Sequence, residues 1–365
     1  MVAAGATVAV LATALGAWAT DTGPFADRDS YCWGAWQEDG GFDLVGDAGF
    51  EGPDARSRTG SESAPTRQRP RGRCTVELHS SLTYGSGGKS VQDTTVTVAY
   101  GPAPKSAKRR VEWVAGYLGD HAMPLPGGLP GAVDETHGLL VLPKRCDTAD
   151  GRPTAVTLDA REEPGADDPA TPDLGGSDAV SDLLVAAAGK GMEAAGCAPA
   201  KPLRLTSPLP TLPEEVGDVE QGPACRIPGL DPQEDVDEDT ARRLEYQVGA
   251  VTRDLQSCSV VVGRSVLRGE RYDKGFFDAL MIREPRLTAL LHGVTGDRAP
   301  APGWRGTGSL GPDQYIVRAE CAKRPTTFLM LGPSAGEDYF TAFTGAVTRR
   351  LGCAPVAPAP TGGTH

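Results

Sequence analysis

"GCAPAKP" at 196–202 and "GCAPVAP" at 352–358 are nearly the same seven letters, written twice, each time after a stretch with helical spacing. Before the first, Val180, Leu184, Ala187 and Ala188 recur at intervals that share one helix face. Before the second, Phe340, Phe343, Val347 and Leu351 do the same. A glycine just past such a stripe is the residue that a left-handed helix cap favours, so each helix is expected to end at Gly196 or Gly352. The cysteine that follows each glycine asks for a partner.

The eight cysteines supply it. They stand at 32, 74, 146, 197, 225, 258, 321 and 353, and they divide into two sets of four, each spaced short, long, short. A strand-like run leads into each third cysteine, "GLLVLPKRC" at 138–146 and "QYIVRAEC" at 314–321. A second run follows, "TAVTLDA" at 154–160 and "TTFLMLG" at 326–332. "MPLPGGLPG" at 123–131 and "PAPGWRGTG" at 300–308 hold matching places before them. This frame reads as a divergent internal duplication. An even cysteine count in an exported chain points to disulfides. The frame predicts Cys32–Cys74, Cys146–Cys197, Cys225–Cys258 and Cys321–Cys353, although four cysteines allow three pairings in each set.

Working outward, the expected fold is α+β. It has two tandem domains, 21–200 and 224–355, each a small, mostly antiparallel sheet packed by one face on helices. In the first, residues 38–73 read as a flexible polar insert. A hairpin follows over 74–84 and 94–100 with "GSGGKS" at 85–90 between its strands, and then a helix at about 105–119. A Pro-rich linker spans 201–223. The second domain is expected to open with a helix at about 237–256, on the stripe Leu244, Val248, Val251 and Leu255, after the acidic run "DPQEDVDED". A strand "CSVVVG" at 258–263 comes next, and 356–365 reads as a disordered tail.

The first twenty residues carry no charge; Asp21 is the first ionisable side chain. A helix of that length rises about 30 Å, the depth of a bilayer's hydrocarbon core. The segment is read as a membrane anchor, or as a secretory signal cleaved near Ala19 at "AWA", although the positive n-region that both expect is missing. Either way the bulk of the chain is extracytoplasmic, at the cell membrane or secreted. The formal charge of -12 disfavours nucleic acid and anionic lipid as partners. Two basic clusters run against it, "TRQRPRGR" at 66–73 and "KSAKRR" at 105–110, and both are read as solvated surface, the first in a polar linker and the second at a helix start.

Signals of chemistry are weak. There is no C-x-x-C, H-E-x-x-H or G-x-S-x-G, so zinc hydrolysis and thiol redox chemistry lack their local motifs. The five histidines, at 79, 121, 137, 292 and 365, are scattered. "DVDEDT" at 235–240 lacks the glycine and the closing glutamate of a calcium loop and reads as helix-start acidity. "GSGGKS" sits between strands, where a phosphate loop would precede a helix. No cofactor or metal is implied, and no catalytic residue stands out. Trp33 and Trp36 in "YCWGAW" at 31–36 are read as interfacial anchors or as packing around Cys32. The leading functional expectation is a non-catalytic module for binding or envelope interaction, whose partners are the membrane and an envelope protein. The alternatives are a hydrolase with a non-local Ser/His/Asp site and an inhibitor or sensor ectodomain.

The opening "DTGPFADRDSYCWGAW" at 21–36, behind an Ala-rich segment, resembles a group of uncharacterised actinobacterial exported or membrane-anchored proteins. That resemblance implies location and lineage and carries over no functional residue.

Overall fold

The structure is a computed structural model. It describes residues 30–37, 56–83, 89–119, 121–162, 174–209, 216–218, 222–262 and 275–358. The expected anchor at 1–20 lies outside them. Among the described residues no helix is long and apolar enough to cross a membrane.

The first half begins with a two-stranded ribbon, β1 (Ser30–Tyr31) and β2 (Trp36–Gln37). Then come β3 (Arg56–Ser63), β4 (Gly72–Thr83), β5 (Lys89–Pro102), α1 (Ala107–Leu118), β6 (Met123–Pro124), β7 (Gly131–Val133), β8 (His137–Val141), β9 (Thr154–Glu162) and α2 (Gly176–Ala195). The second half contains β10 (Val216–Asp218), the single turn α3 (Glu238–Ala241), β11 (Leu244–Val251), β12 (Leu255–Val262), β13 (Gly275–Ile282), α4 (Pro285–Leu290), β14 (Thr307–Leu310), β15 (Gln314–Cys321), β16 (Arg324–Leu331) and α5 (Glu337–Leu351). The fold is mixed α and β, with two seven-stranded antiparallel sheets ordered β3-β4-β5-β9-β8-β7-β6 and β10-β11-β12-β13-β16-β15-β14. Aligning β4 with β12 superposes the two orders, with α1 falling on α4 and α2 on α5.

Each sheet is covered on both faces, where the sequence reading had expected one. Alternate residues of each strand serve different cores, as the two-residue side-chain period requires. In β9, Val156, Leu158 and Ala160 pack under α2, while Ala155 points the other way. In β13, Phe277, Ala279 and Met281 pack under α5, while Leu280 and Ile282 point the other way. Those opposite faces meet in one central core, where Val111, Val114 and Leu118 of α1 and Leu287 and Leu290 of α4 lie between the sheets. The layers therefore run α2, first sheet, α1 with α4, second sheet, α5. Near-continuous apolar runs such as "GLLVLP" and "FFDALMI" are what strands buried on both faces need.

Polar contacts fasten the halves. Arg286 of α4 reaches into the first half and grips Asp147 through both guanidinium nitrogens, at 3.0 and 2.5 Å, while also donating to the Leu142 carbonyl. Arg110 of α1 donates to the carbonyl of His292.

Four expectations need correction. The helix expected at 237–256 is one turn, α3, capped by the Asp237 side chain, followed by the β11–β12 hairpin. Its stripe is split: Leu244 and Leu255 are buried, but Val251 is 48% exposed. β12 is buried on both faces and β11 is buried irregularly, so neither alternates cleanly and the helical spacing arose by coincidence. The Thr252 hydroxyl, accepting from the Asp254 and Leu255 N–H groups, closes the turn instead. The insert expected at 38–73 is ordered from 56 onward, because β3 pairs with β4 along its whole length; 38–55 lies outside the described residues. The linker supplies β10 to the second sheet, and its Leu203, Leu205 and Leu209 pack on the first core. Val356 and Ala357, assigned to the tail, are buried in the second core, and the Val356 carbonyl accepts from Arg305 N–H. The hairpin at 74–100 and the helix near 105–119 form as expected.

Candidate functional site

All eight cysteines are bridged: Cys32–Cys74, Cys146–Cys197, Cys225–Cys258 and Cys321–Cys353, with Cα separations of 5.1, 5.3, 6.0 and 5.2 Å. Every pairing stays within one half. The third cysteines differ in setting: Cys321 ends β15, whereas Cys146 lies in a 3₁₀ turn beyond β8. The fourth cysteines share one geometry. Gly196 and Gly352 have φ of 66° and 69°, a left-handed conformation that glycine adopts without a Cβ clash. The next N–H, of Cys197 or Cys353, turns back to the carbonyl five residues earlier, Met192 or Thr348. This is a Schellman cap whose outer residue is the bridging cysteine. The first cysteines match as well: Cys32 with Trp33, and Cys225 with Arg226, are consecutive pairs at positive φ.

Packing surrounds the first-half bridges. Trp36 is fully buried and donates its indole N–H to the Leu183 carbonyl. Trp33 meets Tyr100 edge-on. The Tyr100 hydroxyl lies 3.3 Å from Cys197 Sγ, and burial pushes its pKa up to about 12.

The structure also gathers polar side chains that no motif announced, on the faces that the two sheets turn toward each other. The Tyr117 hydroxyl, at the end of α1, donates to Asp159 Oδ2 at 2.5 Å. His137 stands opposite Asp159 in the β8–β9 ladder and meets the Tyr117 ring edge-on. Its Nδ1 lies 2.7 Å from the Thr136 hydroxyl. Asp134 closes the β7–β8 turn by accepting from the Thr136 and His137 N–H groups. Burial pulls its carboxyl pKa upward, but hydrogen bonds from His137 and Thr136 outweigh that and leave it below the usual range. Across the gap, Asp278 of β13 pairs with Ser259 of β12, and a Cβ at Gly119, just past α1, would come into van der Waals contact with both. Desolvation raises the Asp278 carboxyl above its ordinary value, against the opposing pull of the Ser259 hydroxyl.

A lone aspartate inside an apolar strand was the available signal: Asp159 in "AVTLDA" and Asp278 in "GFFDALMI". A carboxylate there must find partners or neutralise. The arrangement joins α1 to both sheets. Among the described residues no group of three potential metal ligands forms. His79 lies in β4, His121 follows α1, His292 follows α4, and His365 lies outside the described residues. Asp237 caps α3, in keeping with helix-start acidity.

No family model, curated protein or solved structure matches the chain.

Proposed function

We propose that this chain is an extracytoplasmic, non-catalytic binding module, built from two divergent copies of one disulfide-stapled unit and held at the cell membrane by residues 1–20. The observation that carries the reading is the closure of all eight cysteines into four bridges within the halves. Such pairing fits an oxidising compartment outside the cytoplasm. Anchoring adds the uncharged first twenty residues to that inference. The resemblance of 21–36 to actinobacterial exported proteins supports the same location.

The use of the reactive side chains supports the non-catalytic part. Tyr117 is engaged by Asp159 and His137 by Thr136. Ser259 is 0% exposed, so a substrate carbonyl reaches its hydroxyl only if the sheets separate. Among the described residues, the raised carboxyl of Asp278 beside Ser259 is the feature that favours a hydrolase.

A membrane-impermeant amine reagent applied to intact cells tests location. The chain should be labelled before lysis and recovered with the membrane; labelling only after lysis contradicts the proposal. An active-site serine probe that labels the wild type and spares Ser259→Ala would replace the binding module with the hydrolase.

A further inference from the structure

The cluster at 66–73 sits in no linker. It is the turn joining β3 to β4, and it is built rigidly. Pro65 is buried, Thr66 N–H donates to the Arg69 carbonyl at 2.9 Å, and the Thr66 hydroxyl accepts from Arg69 N–H at 3.1 Å. The turn holds Arg67, Arg69 and Arg71 exposed, and Arg73 is exposed at the start of β4. The Arg67 side chain lies directly against Gly196. From the other side Arg145, next to exposed Lys144, donates to the Ala198 carbonyl at 3.4 Å. The Cys146–Cys197 bridge ties these segments together. Six cations thus share one end of the first sheet, and residues 64–73, 143–146 and 196–206 contain no Asp or Glu. Of the flanking carboxylates, Asp147 is gripped by Arg286 and Asp150 pairs with Arg152, while Glu62 accepts from Trp33 N–H and sets one negative charge against the six.

We propose that this bridged end seats on a bilayer surface containing anionic phospholipid. The chain's net charge of -12 does not oppose this locally, since charges beyond about 8 Å are largely screened at physiological salt. The occupant follows from chain geometry. Nine residues separate Thr20, the end of the uncharged stretch, from Ser30, and extended they reach about 30 Å. The turn between β1 and β2 lies at this same end, where Trp33 Nε1 donates to the Ser63 carbonyl beside the arginine turn. An anchor at 1–20 therefore holds the cationic end within reach of headgroups. Each such charge at an anionic surface favours contact roughly fivefold, so three of them amount to about a hundredfold. The inference rests on the anchored reading above.

The test uses the full chain mixed with vesicles of phosphatidylcholine alone, or with one part in three phosphatidylglycerol. Flotation and amide hydrogen exchange are read together. The expected result is flotation with both vesicles, with slowed exchange of 64–73 and 143–146 only on the anionic ones. High salt should remove that slowing, and so should Arg67→Gln/Arg69→Gln/Arg71→Gln, whose unfolding midpoint serves as the folding control. Equal exchange on both vesicles overturns the proposal, as does slowing that the triple variant retains. Equal slowing by inorganic phosphate or a soluble polyanion, with neutral vesicles, also overturns it by assigning the surface to a dissolved anion. A chain that fails to float with neutral vesicles refutes the anchor alone; if the anionic vesicles then still slow 64–73, the basic surface stands without it.

Discussion

The two halves share a strand order and a bridge plan, yet they fill their outer cores differently. Under α2 the helix brings only aliphatic residues, Leu183, Leu184 and Met192 with Ala187 and Ala188, and the sheet supplies the large ring of Tyr100, which comes close against Gly191. Under α5 the helix brings Phe340, stacked on Trp304, and Phe343 against Phe277 and Phe328 of the sheet. Total volume and patterning matter more to a core than the identity of the residue that fills it. What stays the same is the backbone that cannot be traded: the left-handed glycine caps, the cysteines beside them and the paired positive-φ residues at each first cysteine. That explains why so little sequence is shared beyond "GCAP".

The largest expected effects sharpen this comparison through the bridges. Replacing Cys146 and Cys197 by Ser, or Cys321 and Cys353 by Ser, should each destabilise the chain by about 4 kcal/mol in the chain-entropy model. The separations are 51 and 32 residues, so the first should cost about 0.4 kcal/mol more. Denaturant unfolding of the oxidised proteins checks both. Because the halves share a central core, each variant should unfold in one transition, and two separated transitions would show independent halves.

Next is the clamp between them. Arg286→Ala leaves Asp147, whose side chain is 12% exposed, without its cation and the Leu142 carbonyl without its donors. The expected loss is about 2–3 kcal/mol. Arg286→Lys should recover part of it, since lysine keeps the charge and loses the fork.

Asp278 should act in the opposite sense, on the order of 1 kcal/mol. A carboxyl whose folded pKa is raised contributes stability that is complete below its unfolded value, near 4, and lost as pH rises through the folded one. Asp278→Asn should therefore be more stable than wild type at pH 7, with the gain vanishing toward pH 4. Thermal melts across that range decide it; an equal gain at both ends would separate the effect from titration.

The smallest contrast lies at the caps. Gly352→Ala places a Cβ at positive φ with nothing within 4 Å, whereas Gly196→Ala also drives it into Arg67. Each should cost about 1 kcal/mol from the backbone alone. The excess at Gly196 should disappear in the Arg67→Ala background if that contact is its source.

Much of this was legible locally. Cysteine spacing, glycine caps and the two outer helices are short-range signals, and all four pairings, the caps and both helices appear in the structure. The β11–β12 hairpin is hidden because β12 is buried on both faces and β11 is buried irregularly, so neither alternates and Leu244, Val248, Val251 and Leu255 imitate a helix. The meeting of α1 and α4 between the sheets was hidden for another reason. Nothing in "KRRVEWVAGYL" says which of two sheets its apolar face will touch, and here it touches both. The polar group around Asp159 and Asp278 depends on that meeting: the sequence shows each aspartate alone in an apolar strand, but not the partners it finds. The arginines at 67–73 looked like linker because β3, which makes them a turn, carries no apolar pattern: "RSRTGSES".

The most direct test of the account is non-reducing peptide mapping of the chain, recovered separately from membrane and medium of a host that exports it. The account predicts Cys32–Cys74, Cys146–Cys197, Cys225–Cys258 and Cys321–Cys353 in membrane-bound protein that retains residues 1–20. Free thiols, or a bridge joining the two halves, would contradict it.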